Sequence, residues 1–401
     1  VFLGGRPPPR HSHSQSAGSL RGGLSEAKAK PSPGGSSGSK TRQQPEQPQE
    51  ARDVNALLIE AASKLDASRV QALLAEGADV AFVQSADGIS RTALHAAIEA
   101  RTKAKSAQDA PGWHTTLRSL LEAKADVNAR CEQRDWKGAQ SSTTAFEMVM
   151  PLAMEDVVVL QAFLAAGADP NAKLVQDINI TNGKGQSTQH ILHVAARRGK
   201  FEAARALLVA GANVDAEATE HLDYEQGYNK RTVETSLHLA CRTRNLSLVA
   251  LLLARSADVN ALREDSEHEE VEEDGTKVVK TFAITETPLH IALQMKQLDL
   301  TIMLVSAGAN LSQPRTRGEE RLLPSDLAGD SSDLQKGLLY RKDAHGKLPS
   351  PVQAALKVIL PTVRENQWPL PNVELFDAGA ADEQILTYQG IVKKEVGGYW
   401  P

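Results

Sequence analysis

A chain of 401 residues has room for two or three compact domains, or for one elongated array with tails. With 41% apolar but only 4% aromatic residues, its core must be built from Leu, Val and Ala, and a net charge of −5 argues against a nucleic-acid surface. No run of 18 apolar residues offers a membrane span.

Residues 1–51 are rich in Ser, Gly, Pro and Gln and are net basic, with seven Lys and Arg against three Glu in the first fifty. So little apolar surface cannot offset the entropy of ordering, and a disordered tail is expected. Its Ser- and Arg-rich, acid-poor character also suits an organelle transit segment. The chain opens with Val1 instead of Met, from which a missing true N-terminus is expected. His11 and His13 in such a tail make a poor metal site.

From about Asp53 onward one unit recurs. Its clearest copy, Glu286–Leu311, starts with Thr287 as a helix cap and Pro288 at the first helical position. Leu289, Ala292 and Leu293 form an apolar stripe, and a second run from Leu298 to Val305 closes at Gly308, where positive φ would end the helix. Neither helix is long enough to stand alone, so the pair reads as one layer of a stack. Related pairs begin at Thr92-Ala-Leu-His95, Thr144-Ala-Phe-Glu147, His190-Ile-Leu-His193 and Thr235-Ser-Leu-His238, after an opening pair around 56–80 that lacks this start.

The T-x-L-H start followed by A-D-x-N-A resembles the ankyrin repeat. The resemblance implies an all-α repeat solenoid of six to seven helix–turn–helix layers with elongated β-hairpin finger loops. The array is expected over 52–313, a degenerate capping repeat over 314–345, and an extension of unknown structure over 346–401. In that extension 351–360 reads as a short helix stopped by Pro361. At the repeat's histidine position, His193 and its equivalents are expected to make structural hydrogen bonds with the capping residue and nearby backbone, not to bind metal.

Spacing departs from the family. The histidine position falls at His95, Glu147, His193, His238 and His290, steps of 52, 46, 45 and 52 residues, against about 33 in the family. The extra length is assigned to the connections, and to an insertion between helices around 101–113. Insertions on one face of such a stack commonly mark its binding face. The fingers differ in chemistry: Trp136 stands among charges in the first long one, and Tyr224 and Tyr228 lie beside acids in the third. Asn182-Gly183-Lys184-Gly185 reads as a turn. Between Glu264 and Asp274 lie eight acidic residues, read either as a solvated loop or as a patch for a basic partner segment. Thr276 to Ile284 reads as a returning strand.

No catalytic constellation, cofactor motif or metal-ligand spacing stands out. Gly183–Thr188 has the wrong order for a P-loop, and the acidic run lacks the alternation of a calcium loop. Cys241 reads as a core residue and Cys131, opening a finger, as exposed; two cysteines are too few for a disulfide framework and fit a reducing intracellular setting, cytoplasmic or nuclear. The expected function is a non-enzymatic protein–protein interaction module, scaffold or adaptor, binding through its fingers and concave helix face. The expected contact residues are Trp136, Tyr224, Tyr228, Glu269, Glu270, Glu272 and Glu273. The expected partners are other proteins, with no nucleic acid and no membrane, and the chain is expected to be monomeric. The rival is the regulatory ankyrin portion of a larger enzyme, such as a kinase or ubiquitin ligase, whose catalytic domain lies outside this chain. A third reading, a structural spacer, is disfavoured by the elaborated fingers.

Overall fold

The structure, a computed structural model, describes residues 49–366 except 87, 105–109, 135–139, 181, 225–228, 274–275 and 340–347. The expected N-terminal tail over 1–48, the linker region around 340–347 and the C-terminal residues from 367 lie outside the described residues.

The described helices follow one another in pairs. They are α1 (Gln49–Ser63) and α2 (Ala67–Ala75), α3 (Ala93–Lys103) and α4 (Trp113–Glu122), α5 (Ala145–Ala153) and α6 (Val157–Ala165), and α7 (Ile191–Arg197) and α8 (Phe201–Val209). Then come α9 (Ser236–Arg242) and α10 (Leu246–Ala254), α11 (Pro288–Gln294) and α12 (Leu298–Ser306), and the shorter α13 (Pro324–Ala328) and α14 (Ser332–Leu338). First helices pack on first helices, α1 on α3 on α5 and α7 on α9 on α11 on α13, and second helices likewise pack on second helices. Leu94, Leu120, Phe163, Leu192, Leu208, Leu252 and Leu289 are all fully buried in the single apolar core that results.

Local chemistry sets the ends of these helices. Thr92, Thr235 and Thr287 hold extended backbone as N-caps, and the backbone N–H of each donates to Nδ1 of the histidine three residues on, at 3.3, 3.2 and 2.9 Å. At the other end Gly77, Gly167, Gly211 and Gly308 all have φ near +90°, where a Cβ would be strained. Lys124 and Ser256, which replace glycine in the second and fifth pairs, take the same left-handed turn at φ +64° and +63°.

The fold is not all-α. Among the described residues twelve strands run between the pairs: β1 (Gln84–Ala86), β2 (Ile89–Arg91), β3 (Arg130–Arg134), β4 (Gln140–Thr144), β5 (Lys173–Ile180) and β6 (Gly183–His190). The others are β7 (Glu217–Tyr224), β8 (Asn229–Thr235), β9 (Arg263–Glu273), β10 (Thr276–Glu286), β11 (Arg315–Arg317) and β12 (Glu320–Leu322). Each consecutive pair is an antiparallel hairpin, but adjacent hairpins also bond to one another. One sheet has the order β1-β2-β3-β4 and the other β12-β11-β10-β9-β8-β7-β6-β5. The acidic run is therefore no loop: β9 carries it as a strand, pairing along its whole length with β10, because the β-branched return offers a ladder partner for the backbone groups on that edge.

The turn signal overlaps the returning strand: Ile180 pairs with Gly183, so Gly183 and Gly185 belong to strand β6. Their lack of a side chain serves the neighbour: a Cβ on Gly183 would lie 2.1 Å from the Asp223 carbonyl oxygen, and one on Gly185 2.4 Å from that of His221. Cys131, expected to be exposed, is buried in β3.

Pro361 does not stop a helix. A final helix, α15 (Ser350–Glu365), runs through it and packs on α10 and α12. Val352, Ala355, Leu356, Ile359 and Val363 form a buried stripe that crosses the proline. Burying Val363 and its neighbours contributes about 1.5–3 kcal/mol per large side chain, which offsets the roughly 3 kcal/mol cost of an internal proline.

Candidate functional site

The repeat's histidines are structural. Nε2 of His95, His193 and His238 lies 3.1, 2.9 and 3.1 Å from the carbonyl oxygens of Ala129, Ala216 and Ala261, at the end of the same helix pair. Since Nδ1 accepts from the capping N–H, Nε2 carries the proton and the ring is neutral. Burial pushes His193 and His238 down to about 4, against the raising effect of those carbonyl hydrogen bonds. Glu147 replaces the histidine in the third pair and closes the same box with its carboxylate, accepting from the Thr144 N–H at 2.9 Å. His190 stands where threonine caps the second, third, fifth and sixth pairs, and its backbone N–H donates to His193 Nδ1 at 3.1 Å. These rings brace each layer internally and are spent on structural bonds.

Of the expected contact residues, Trp136 and Tyr228 lie outside the described residues. Tyr224 ends β7, half-buried, opposite Gly183. Glu269, Glu270, Glu272 and Glu273 occupy β9, and their cross-strand partners on β10 are Lys280, Val279, Lys277 and Thr276. Two of the four thus lie opposite a lysine position in the backbone register.

A second constellation, unforeseen, sits where the hairpins meet the first helices. A recess of about 390 Å³ lies there, with Arg197, Leu239 and Arg242 on the helix side and Lys230, Thr232, Glu234 and Arg263 among the strand residues. Glu234 is buried, and its carboxylate accepts from Arg242. Arg197 Nη2 and Arg263 Nε each lie 3.5 Å from the same carboxylate. Arg263 also bridges to Asp265 and Glu286, 2.9 Å each, and Asp265 takes a 2.7 Å bond from the Thr232 hydroxyl. Arg315 closes the chain of charges on Glu286 at 3.4 Å. Burial first, then the Arg263 charge, push the Arg242 guanidinium below its ordinary value.

The underlying signal is a spacing of eight. The residue before the cap and the residue eight positions on, in the first helix, pair as Arg91–Glu99, Glu234–Arg242 and Glu286–Gln294, at 3.2 Å in the first and 3.0 Å in the last. Strand and helix meet at the cap, so these two positions come to face each other on the hairpin side of the layer. In the fourth pair they are Gln189 and Arg197, with no carboxylate.

Comparison with known proteins agrees with the repeat pattern. The family described as ankyrin repeats (3 copies) matches residues 155–263, and that described as ankyrin repeat matches 286–315. Ankyrin repeat and SOCS box protein 11 of Homo sapiens is 26% identical over 162 residues, covering 40% of this chain. The match spans 39% of that relative, about two fifths of its length. The chain carries ankyrin repeats, which imply a repeat solenoid and as a class commonly bind other proteins.

Proposed function

We propose that this ankyrin array is a non-catalytic scaffold or adaptor that grips a partner protein along its hairpins and the adjoining first helices. In this reading each of the seven helix pairs is one layer, and residues 314–345 form the degenerate cap. The observation that carries it is the joining of the long hairpins into continuous sheets. Stacking of the helices alone does not require strands of eight to eleven residues. A hydrogen-bonded sheet with one face lining a charged recess presents a preorganised surface, which lowers the ordering cost of binding. Trp136, Tyr224 and Tyr228 are proposed as aromatic anchors. The glutamates of β9 are proposed as the contact for a basic segment.

The human relative's name joins ankyrin repeats to a further element, which supports a second reading of this array as the recognition part of a larger protein.

The test keeps the ladder intact. Because His268 and Thr281 are register partners, residues 269–280 can be replaced by Asn-Gly, a two-residue hairpin turn. This variant, a triple alanine variant of Trp136, Tyr224 and Tyr228, and the parent are immobilised, and retained proteins are identified by mass spectrometry. All three should keep helical circular dichroism and cooperative melting. At least one variant should lose partners the parent holds; full retention by both would leave the hairpins without a binding role.

A further inference from the structure

We propose that the recess between the hairpins and helices α7 and α9 is a subsite for an oxyanion, the carboxylate or phosphate of an acidic side chain on the partner protein. The inference rests on the reading of the array as a protein-binding module and specifies what one part of it recognises.

Three guanidinium groups converge on one carboxylate. Glu234 receives Arg242, Arg197 and Arg263, yet a carboxylate offers about four acceptor positions and each guanidinium five donors. Arg263 spends its two terminal nitrogens elsewhere, on Asp265 and Glu286, and only its Nε faces Glu234, at 3.5 Å. Arg197 is different, because the position that supplies a carboxylate in the next two layers is Gln189 in its own. It leans across to a carboxylate that Arg242 already holds, and its side chain stays 47% exposed on the recess, beside Arg242 at 38%.

Charge points the same way. The lining has four cations, Arg197, Lys230, Arg242 and Arg263, against Glu220 and Glu234. Adding Asp265, Glu286 and Arg315, which join the same network, still leaves the cations in excess. This happens in a chain of net charge −5, so the preference is local and not a property of the whole surface. Two neighbouring guanidinium forks in a partly desolvated recess match the geometry of a carboxylate or phosphate. Lys230 on the strand side adds a third donor that can turn toward the same group.

Random dodecapeptides displayed on phage are selected on the full chain at low salt. The winners are then synthesised with each acidic residue kept, replaced by Gln, or replaced by phosphoserine, and titrated by fluorescence anisotropy. Winners should be rich in Asp or Glu, and one Glu→Gln replacement should weaken binding about tenfold, the scale of a charge-assisted bidentate contact. Arg197→Gln should weaken the parent peptide by a similar factor and cause no further loss with the Gln peptide. Glu234 keeps Arg242 and Arg263 in that variant, so the fold should hold; Lys230→Gln, on the opposite wall, is the second probe. A phosphoserine peptide that binds more tightly than the Glu peptide would identify phosphate as the source, and the reverse order carboxylate. Peptides with no acidic bias, bound equally by parent, Arg197→Gln and Lys230→Gln, would overturn the subsite and leave the module reading standing. No peptide selected, together with no protein retained by the parent, would overturn both.

Discussion

Arg197 and Glu234 meet at 3.5 Å across the boundary between two successive helix pairs, on a carboxylate that Arg242 already occupies. Glu234 is thus the shared anion of three cations and ties two layers and two hairpins together. Replacing Glu234 by Gln leaves those guanidinium groups crowded without their counter-charge. The expected loss is about 2 kcal/mol, below the roughly 3–5 kcal/mol of a fully buried pair because Arg197 and Arg242 remain partly in water. Urea melts of the single variant check it, and adding Arg197→Gln to Glu234→Gln should restore part of the loss.

The left-handed ends at Lys124 and Ser256 store backbone strain that glycine would relieve. Both residues are exposed, so little packing is lost on substitution. Lys124→Gly and Ser256→Gly should each raise stability by about 1 kcal/mol, less a smaller entropic term from the more flexible unfolded chain. Equal or lower Tm in both would contradict the strain.

An interlayer clamp is incomplete at Asp215. Asn171 donates its side-chain amide to the Gly211 carbonyl at 3.3 Å while its Oδ1 accepts from the Asn213 N–H, and Asn260 does the same with Gly308 and Asn310. Asp215 makes only the accepting half, taking the Asp258 N–H at 2.8 Å. Burial, opposed by that hydrogen bond, raises its carboxyl above the usual range. Asp215→Asn should supply the missing donor toward the Ser256 carbonyl and remove a charge that repels Asp258, stabilising by about 0.5–1.5 kcal/mol at neutral pH. Chemical denaturation at pH 7 decides it.

Acid should loosen the stack through its histidines. His193 and His238 titrate near 4 in the folded chain, below the ordinary 6.5, so between those values the unfolded state binds more protons. Stability is therefore complete above about pH 6.5 and falls as pH drops toward 4, by about 3 kcal/mol for each ring. Tm measured from pH 7 to 4.5 should decline, and His238→Gln should flatten the decline while lowering the value at pH 7. A Tm independent of pH across that window would mean the rings are not held neutral.

Much of the helical stack was legible because its rules are local. A threonine cap, a histidine three residues on and a glycine turn act within one layer, so Thr287, His290 and Gly308 announce a helix pair by themselves. Lys124 and Ser256 could be read as left-handed for the same reason: their neighbours demand the turn whatever residue stands there. The spacing of eight that pairs Glu234 with Arg242 was equally present in the chain. It gained meaning only once strand and helix were seen to meet at the cap.

What the tertiary structure decided depends on neighbours distant in sequence. Whether the Gly183–His190 strand stands free or pairs with Glu217–Tyr224 is set by how one layer sits on the next, and no local pattern encodes that register. The acidic run became a strand because a β-branched return strand lay within reach. Cys131 became buried because of where its hairpin lies on the array. Pro361 stayed helical because the stripe from Val352 to Val363 found a surface to cover. That surface left one trace: α10 is apolar from Leu248 to Ala254, about two turns without a polar residue, so its layer needed a second cover. The chain alone showed the need, and only the packing of α15 against α10 showed which segment meets it.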